Sequence, residues 1–141
     1  MARILIWTCL LGVPGIAAPP KRVVLEGVAS FYGERFRGRL THDDEVFDPD
    51  KLTAACNVLP LKTWVRVTNL RNHRRIALWI NDRMHPQNKR LIDVSARAAR
   101  ELGFYARGLT RVRVEVVTRR EAHHLLDSLG LKFAIDTTIK R

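Results

Sequence analysis

Cysteine is scarce in this chain. Of 141 residues only Cys9 and Cys56 carry a thiol, so no disulfide framework can staple the fold. Long apolar runs are absent too: the longest, near the N-terminus, is too short to span a bilayer. Acidic residues are outnumbered, 14 Asp and Glu against 25 Lys and Arg, for a formal charge of +11. There is no internal repeat and no alternation of strands with long helical segments, which excludes a parallel α/β sheet. A chain of this length holds one domain with a real core and little else.

The first 17 residues read as a secretory signal. Met1-Ala2-Arg3 gives a basic start, Ile4 to Ile16 supplies the apolar centre, and Gly15-Ile16-Ala17 offers small residues before a cut after Ala17. Cys9 lies inside the apolar run behind Ile6-Trp7-Thr8, so lipidation is not expected. Cleavage removes Arg3 and Cys9, lowering the charge from +11 to +10 and leaving Cys56 alone. The expectation is a soluble periplasmic protein without a membrane anchor. A basic exported protein meets wall glycans and anionic surfaces rather than nucleic acid, and its attraction to them is screened by salt.

Residues 24–118 carry the domain. Val23 to Tyr32 reads as a strand, with Gly27 suggesting a bulge or bend inside it. Gly33 to Pro49 has no periodicity; it is a loop packed by its own rings or a loop with a task. Within it Asp43, Asp44, Glu45 and Asp48 crowd together, either raising one another's pKa or neutralised by Arg35, Arg37 and Arg39. Leu52 to Asn57 is small, apolar and expected to be buried. Thr63 to Leu70 alternates, and the turn Arg71 to Arg74 joins it as a hairpin to Arg75–Ile80. Thr110 to Val116 is the cleanest period-2 strand, valines in and charges out. Residues 119–141 form a tail in which Ala122, Leu125, Leu126 and Leu129 share one helical face.

The stretch from Arg75 to Ser95 organises the rest. Its alternation stops at Asn81-Asp82-Arg83, Pro86 and Asn88 mark a turn, and Leu91-Ile92-Asp93-Val94 leads to Ser95, an N-cap for a short helix closed by Gly103. A carboxylate at the end of a rigid strand is oriented and can still face a cleft. Asp82 is therefore the first candidate for chemistry; pairing with Arg83 or capping a turn is the plain alternative.

The motifs G-V-A-S-F-Y-G, F-R-G-R-L-T, E-V-F-D, L-T-A-A-C, L-P, V-R-V-T-N-L, I-N-D-R, R-L-I-D-V-S-A-R-A-A and V-R-V-E-V-V, in that order from Gly27 to Val117, resemble the rare lipoprotein A (RlpA) family. The resemblance implies a mostly β fold, a six-stranded double-psi β-barrel with one or two short helices. It implies a periplasmic lytic transglycosylase that cuts peptidoglycan glycan strands lacking stem peptides and leaves 1,6-anhydro-N-acetylmuramic acid ends. It carries over three acids, Glu45, Asp48 and Asp82, and a fourth position where the family's histidine is Cys56. Asp82 is the expected acid/base, and Glu45 or Asp48 its electrostatic neighbour. Arg83, Tyr32, Trp79 and Arg39 are the expected substrate contacts. No cofactor, metal or nucleic acid is implied, and a monomer is expected.

This sequence departs from the family pattern around the cleft: Met84-His85 follows Asn81-Asp82-Arg83, Asp43-Asp44 stands where Asn-Gly is usual, and Arg37 replaces a histidine. Asp44 thus occupies a turn position suited to φ > 0 that has lost its glycine. The alternative reading is a non-catalytic, expansin-like wall-binding barrel using Trp64, Trp79, Tyr32 and Phe31 as sugar platforms. A metal enzyme would need ligands from His42, His73, His85, His123 and His124, none of which shows a ligand spacing.

Overall fold

The computed structural model describes residues 21–132; the signal segment with Cys9, and the last nine residues, lie outside them. Six strands close into one barrel: β1 (Val24–Phe31), β2 (Thr53–Ala55), β3 (Thr63–Asn69), β4 (Arg75–Asp82), β5 (Ile92–Val94) and β6 (Thr110–Val116). Two helices accompany them, α1 (Ala96–Glu101) and α2 (Arg119–Ser128). The order around the barrel is β1-β5-β2-β4-β3-β6. β1 pairs parallel with β5, and β2 parallel with β4, while the other four pairings are antiparallel. This is the mixed, closed sheet of a double-psi barrel, and closure leaves no free edge.

Alternation builds the core as expected. Val65, Val67, Ile76, Leu78, Ile80, Val112 and Val114 fill the interior, while Arg111, Arg113 and Arg75 face water. The β3–β4 hairpin forms at the expected turn, in which His73 takes φ 62. β4 runs two residues beyond its alternation, through Asn81 to Asp82.

Of the bulge or bend expected at Gly27, the bulge is absent: the β1–β6 register passes through it unbroken. A Cβ at Gly27 would stand 2.7 Å from the Cβ of Leu91, and the glycine is there to let that chain approach. The register shift falls instead between Ala54 and Ala55 on β2.

Ser95 caps α1, its hydroxyl accepting from the Ala98 amide at 3.2 Å. Gly103, at φ +76, ends the helix while the Phe104 amide reaches the Ala99 carbonyl at 3.0 Å. The tail beyond β6 supplies the ten-residue α2, opened by a capping box between Thr118 and Glu121. Its Ala122 and Leu126 are buried in the same cluster as the barrel valines, and it packs on β3 and β4. One buried carboxylate that the sequence did not single out, Asp93, ties β5 to β1 by accepting from Ser30 at 2.6 Å and from Arg90 at 2.9 and 3.1 Å.

Candidate active site

The aperiodic loop folds into a small hairpin laid over the end of β4. Gly38 and Phe47 donate to each other's side of it, Gly38 N–H to Phe47 carbonyl at 3.0 Å and Phe47 N–H to Arg39 carbonyl at 2.8 Å. Leu40 bridges Val46, and the Thr41 amide donates to the Glu45 carbonyl at 2.8 Å. Asp44 sits at its tip with φ 56, so a non-glycine residue does occupy a left-handed position there; aspartate is among the few that tolerate it. The Asp43 amide donates to the Asn81 carbonyl at 3.2 Å, which pins the tip to β4.

That pinning places the hairpin against Asp82. Two backbone donors meet its Oδ1, the N–H of His42 at 2.9 Å and the N–H of Arg83 at 2.8 Å, and His42 Nδ1 lies 3.0 Å from the same oxygen. Its Oδ2 accepts from the Tyr32 hydroxyl at 3.3 Å. The carboxylate is 19% exposed, and its neighbours His42 and Arg83 line a cleft. That cleft, of about 610 Å³, is lined by His42, Asn57, Arg83, Met84, His85 and Pro86. Burial, and next the charge of Asp82, push the Tyr32 phenol well above its ordinary value. It therefore stays protonated and remains a donor to Asp82.

The crowded acids separate onto different partners. Glu45 accepts from Asn81 Nδ2 at 2.8 Å and from Trp79 Nε1 at 3.3 Å. It thereby braces the residues on either side of Ile80 rather than the Asp82 carboxylate itself. Asp48 accepts from the Asp50 amide at 2.9 Å and from Arg37 at 3.4 Å, and no hydrogen bond joins it to Asp82. Asp43 pairs with Lys62 at 3.5 Å. Among the described residues Arg37 is the loop arginine that pairs with carboxylates; Arg35 and Arg39 lie over the Phe36 ring, 4.9 and 5.4 Å from its centre.

Cys56 has no exposed surface. Its backbone amide donates to the Asp82 carbonyl at 3.1 Å, so it supports the end of β4 through its main chain. The Arg83 guanidinium donates to the carbonyls of Cys56 and Leu59, closing that loop under the cleft. The aromatic residues offer little open platform. Trp64 is buried against Trp79 with ring centres 5.2 Å apart, and Phe31 is stacked on Tyr105 at 4.7 Å. Tyr32 packs on Phe47 and Phe36. Among the described residues no three metal-ligating side chains converge. No helix there is long and apolar enough to cross a membrane.

A family model described as lytic transglycolase matches residues 24–114, from the start of β1 into β6. The chain belongs to that family. Its RlpA-like double-psi members include the endolytic peptidoglycan transglycosylase RlpA of Haemophilus influenzae, 42% identical over 97 residues, a match covering 69% of this chain and 34% of the relative. The RlpA of Neisseria meningitidis is 41% identical over 109 residues, covering 74% of this chain and 46% of the relative. The chain thus spans between a third and a half of the length of these two relatives. Among solved structures, an expansin of Clavibacter michiganensis bound to cellohexaose shares the fold with a TM-score of 0.55 at 16% identity, over 68% of this chain and 51% of that one.

Within this lytic transglycolase barrel, sequence reasoning placed Asp82 and Tyr32 at the site, and the structure brings the two together. It passed over His42, weighed only as a metal ligand, and Asn81. No local pattern could have flagged His42, because its partner is 40 residues away in sequence.

Proposed function

We propose that this chain is an endolytic lytic transglycosylase of the cell envelope, cutting peptidoglycan glycan strands that lack stem peptides and leaving 1,6-anhydro-N-acetylmuramic acid ends. The observation that carries the proposal is the Asp82 carboxylate, held by the Tyr32 hydroxyl, the backbone amides of His42 and Arg83 and the His42 ring; two of these residues, His42 and Arg83, line the adjoining cleft. The names of its RlpA relatives support the same reaction. The chemistry needs one acid–base centre. That centre protonates the glycosidic oxygen as positive charge develops on the sugar, then takes the proton of the sugar's own C6 hydroxyl as it closes the anhydro ring. No water is added, so a second carboxylate at the inverting separation is not required. Asp82 supplies the fixed negative charge on which this exchange is built. Glu45 holds Trp79 and Asn81 in the strand beneath it; Arg39, Trp79 and Tyr32 are the proposed glycan contacts on the strength of the family resemblance.

On the same reading the chain acts as a monomer in the periplasm. The basic charge favours association with an anionic wall without setting the cleavage pattern. Naked glycan strands incubated with the purified protein should yield anhydro-ended fragments, identified by mass spectrometry. Asp82→Asn keeps the shape but not the charge, and should lower the rate by ~10²–10⁴-fold. Hydrolytic reducing ends, or an undiminished Asp82→Asn variant, would contradict the assignment.

A further inference from the structure

We infer that the proton exchanged in this cleft is carried by the imidazole of His42, with Asp82 as its anchor. The inference rests on the transglycosylase reading and names the atom that performs its acid–base step. Asp82 Oδ1 already accepts two backbone N–H groups, from His42 at 2.9 Å and Arg83 at 2.8 Å. An oxygen so occupied can only accept from a third neighbour, so His42 Nδ1, at 3.0 Å, is the donor. Asp82 Oδ2 faces the Tyr32 hydroxyl at 3.3 Å, a group that burial and Asp82 keep protonated. The carboxylate is thus turned toward protein donors on both oxygens.

Fixing Nδ1 leaves Nε2 on the far edge of the ring. The His42 side chain is 65% exposed and lines the 610 Å³ cleft, and among the described residues no hydrogen bond occupies Nε2. Backbone and ring of His42 reach the same carboxylate oxygen, and the next residue is pinned to β4 through the Asp43 amide. The ring is therefore clamped by one side while the other meets substrate. Imidazole is the side chain that can both give and take a proton through one nitrogen while the other stays bonded, and a carboxylate on Nδ1 sets its tautomer and orientation.

The step balances without a co-reactant. The imidazolium gives its Nε2 proton to the glycosidic oxygen as the C1–O4 bond breaks, and the leaving sugar departs with a 4-hydroxyl. The C6 hydroxyl of the muramic residue then bonds to C1, and its proton returns to Nε2. The product is the 1,6-anhydro sugar, and the imidazolium is restored for the next turnover. Asp82 remains the acceptor of Nδ1–H throughout.

Two variants separate proton transfer from positioning. His42→Ala removes the ring and keeps the backbone donor to Asp82. His42→Asn places an amide N–H where Nδ1 stands, keeping the link to Asp82 with no proton to give. Both should lower kcat on naked glycan strands by ~10²–10⁴-fold, with melting temperature and binding to purified sacculi unchanged. Nitrogen NMR of the wild-type protein should show His42 as the Nδ1–H tautomer when neutral. A His42→Asn variant with wild-type kcat, or an Nε2–H tautomer, would overturn the inference while leaving the transglycosylase reading intact. Wild-type protein that releases no anhydro ends removes that reading and this inference together.

Discussion

Replacing Tyr32 by phenylalanine tests how the site holds its carboxylate. Among the described residues the phenol is the one donor to Asp82 Oδ2, and at 3.3 Å the bond is long. A hydrogen bond to a charged group contributes about 1.5–3 kcal/mol when well made, and a long one falls nearer 1 kcal/mol. If that whole amount supports the geometry of the reacting state, kcat should drop about fivefold, with KM nearly unchanged. Stability should move by less than ~1 kcal/mol, because the ring keeps its packing on Phe47 and Phe36, with centres 4.9 and 5.8 Å away. Alkaline pH supplies an independent readout. The folded phenol is held above its ordinary value of 10.0, by burial first and by the charge of Asp82 second. The unfolded chain therefore loses that proton first. The stabilisation is complete below about pH 10 and is lost as pH rises beyond it, so Tyr32→Phe should flatten the alkaline fall in melting temperature. Thermal melts at several pH values and steady-state release of anhydro ends measure both effects. A kcat loss beyond ~10²-fold would make Tyr32 a proton donor in its own right, and an unchanged alkaline slope would refute the proposed environment of the phenol.

Leu126→Ala should destabilise the entire barrel by ~2–5 kcal/mol, since Leu126 is buried on α2 within the same cluster as the strand valines; a separate low-temperature transition for α2 in a calorimetric scan would show that the helix is not part of the cooperative unit. Acid should loosen the start of α2. The backbone amide of Thr118, then Arg22 and the Thr118 hydroxyl, hold the Glu121 carboxyl down at about 2 from an ordinary 4.5. Its contribution is therefore present above pH 4.5 and lost as pH falls through about 2, and Glu121→Gln should remove that part of the acid dependence, followed by circular dichroism.

Several features of this molecule are local, and local features could be read from the chain. The alternation of β3, β4 and β6, the Ser95 cap and Gly103 stop of α1, and the apolar face of the tail helix depend on neighbours within a few residues. Side-chain period and capping chemistry decide them. The order of motifs was enough to indicate the barrel family, and the end of β4 pointed to Asp82. The crowded acids of 43–48 were legible as a cluster but not as a distribution. Which cation or amide each one meets depends on the path of the hairpin.

Tertiary structure decided the rest, because it joins residues that no short window contains. Gly27 is required by Leu91, 64 positions later, and the chain signalled only that something unusual happens there. Cys56 acts through its backbone on the end of β4, and Arg83 turns to the Cys56 and Leu59 carbonyls. Most consequential is His42. In sequence it is a lone histidine before two aspartates; barrel closure and the pinned hairpin bring it to Asp82 from 40 residues away. Periodicity reports which face of a strand is buried, but a contact between two loop ends is set by closure of the sheet, and only the folded chain contains it.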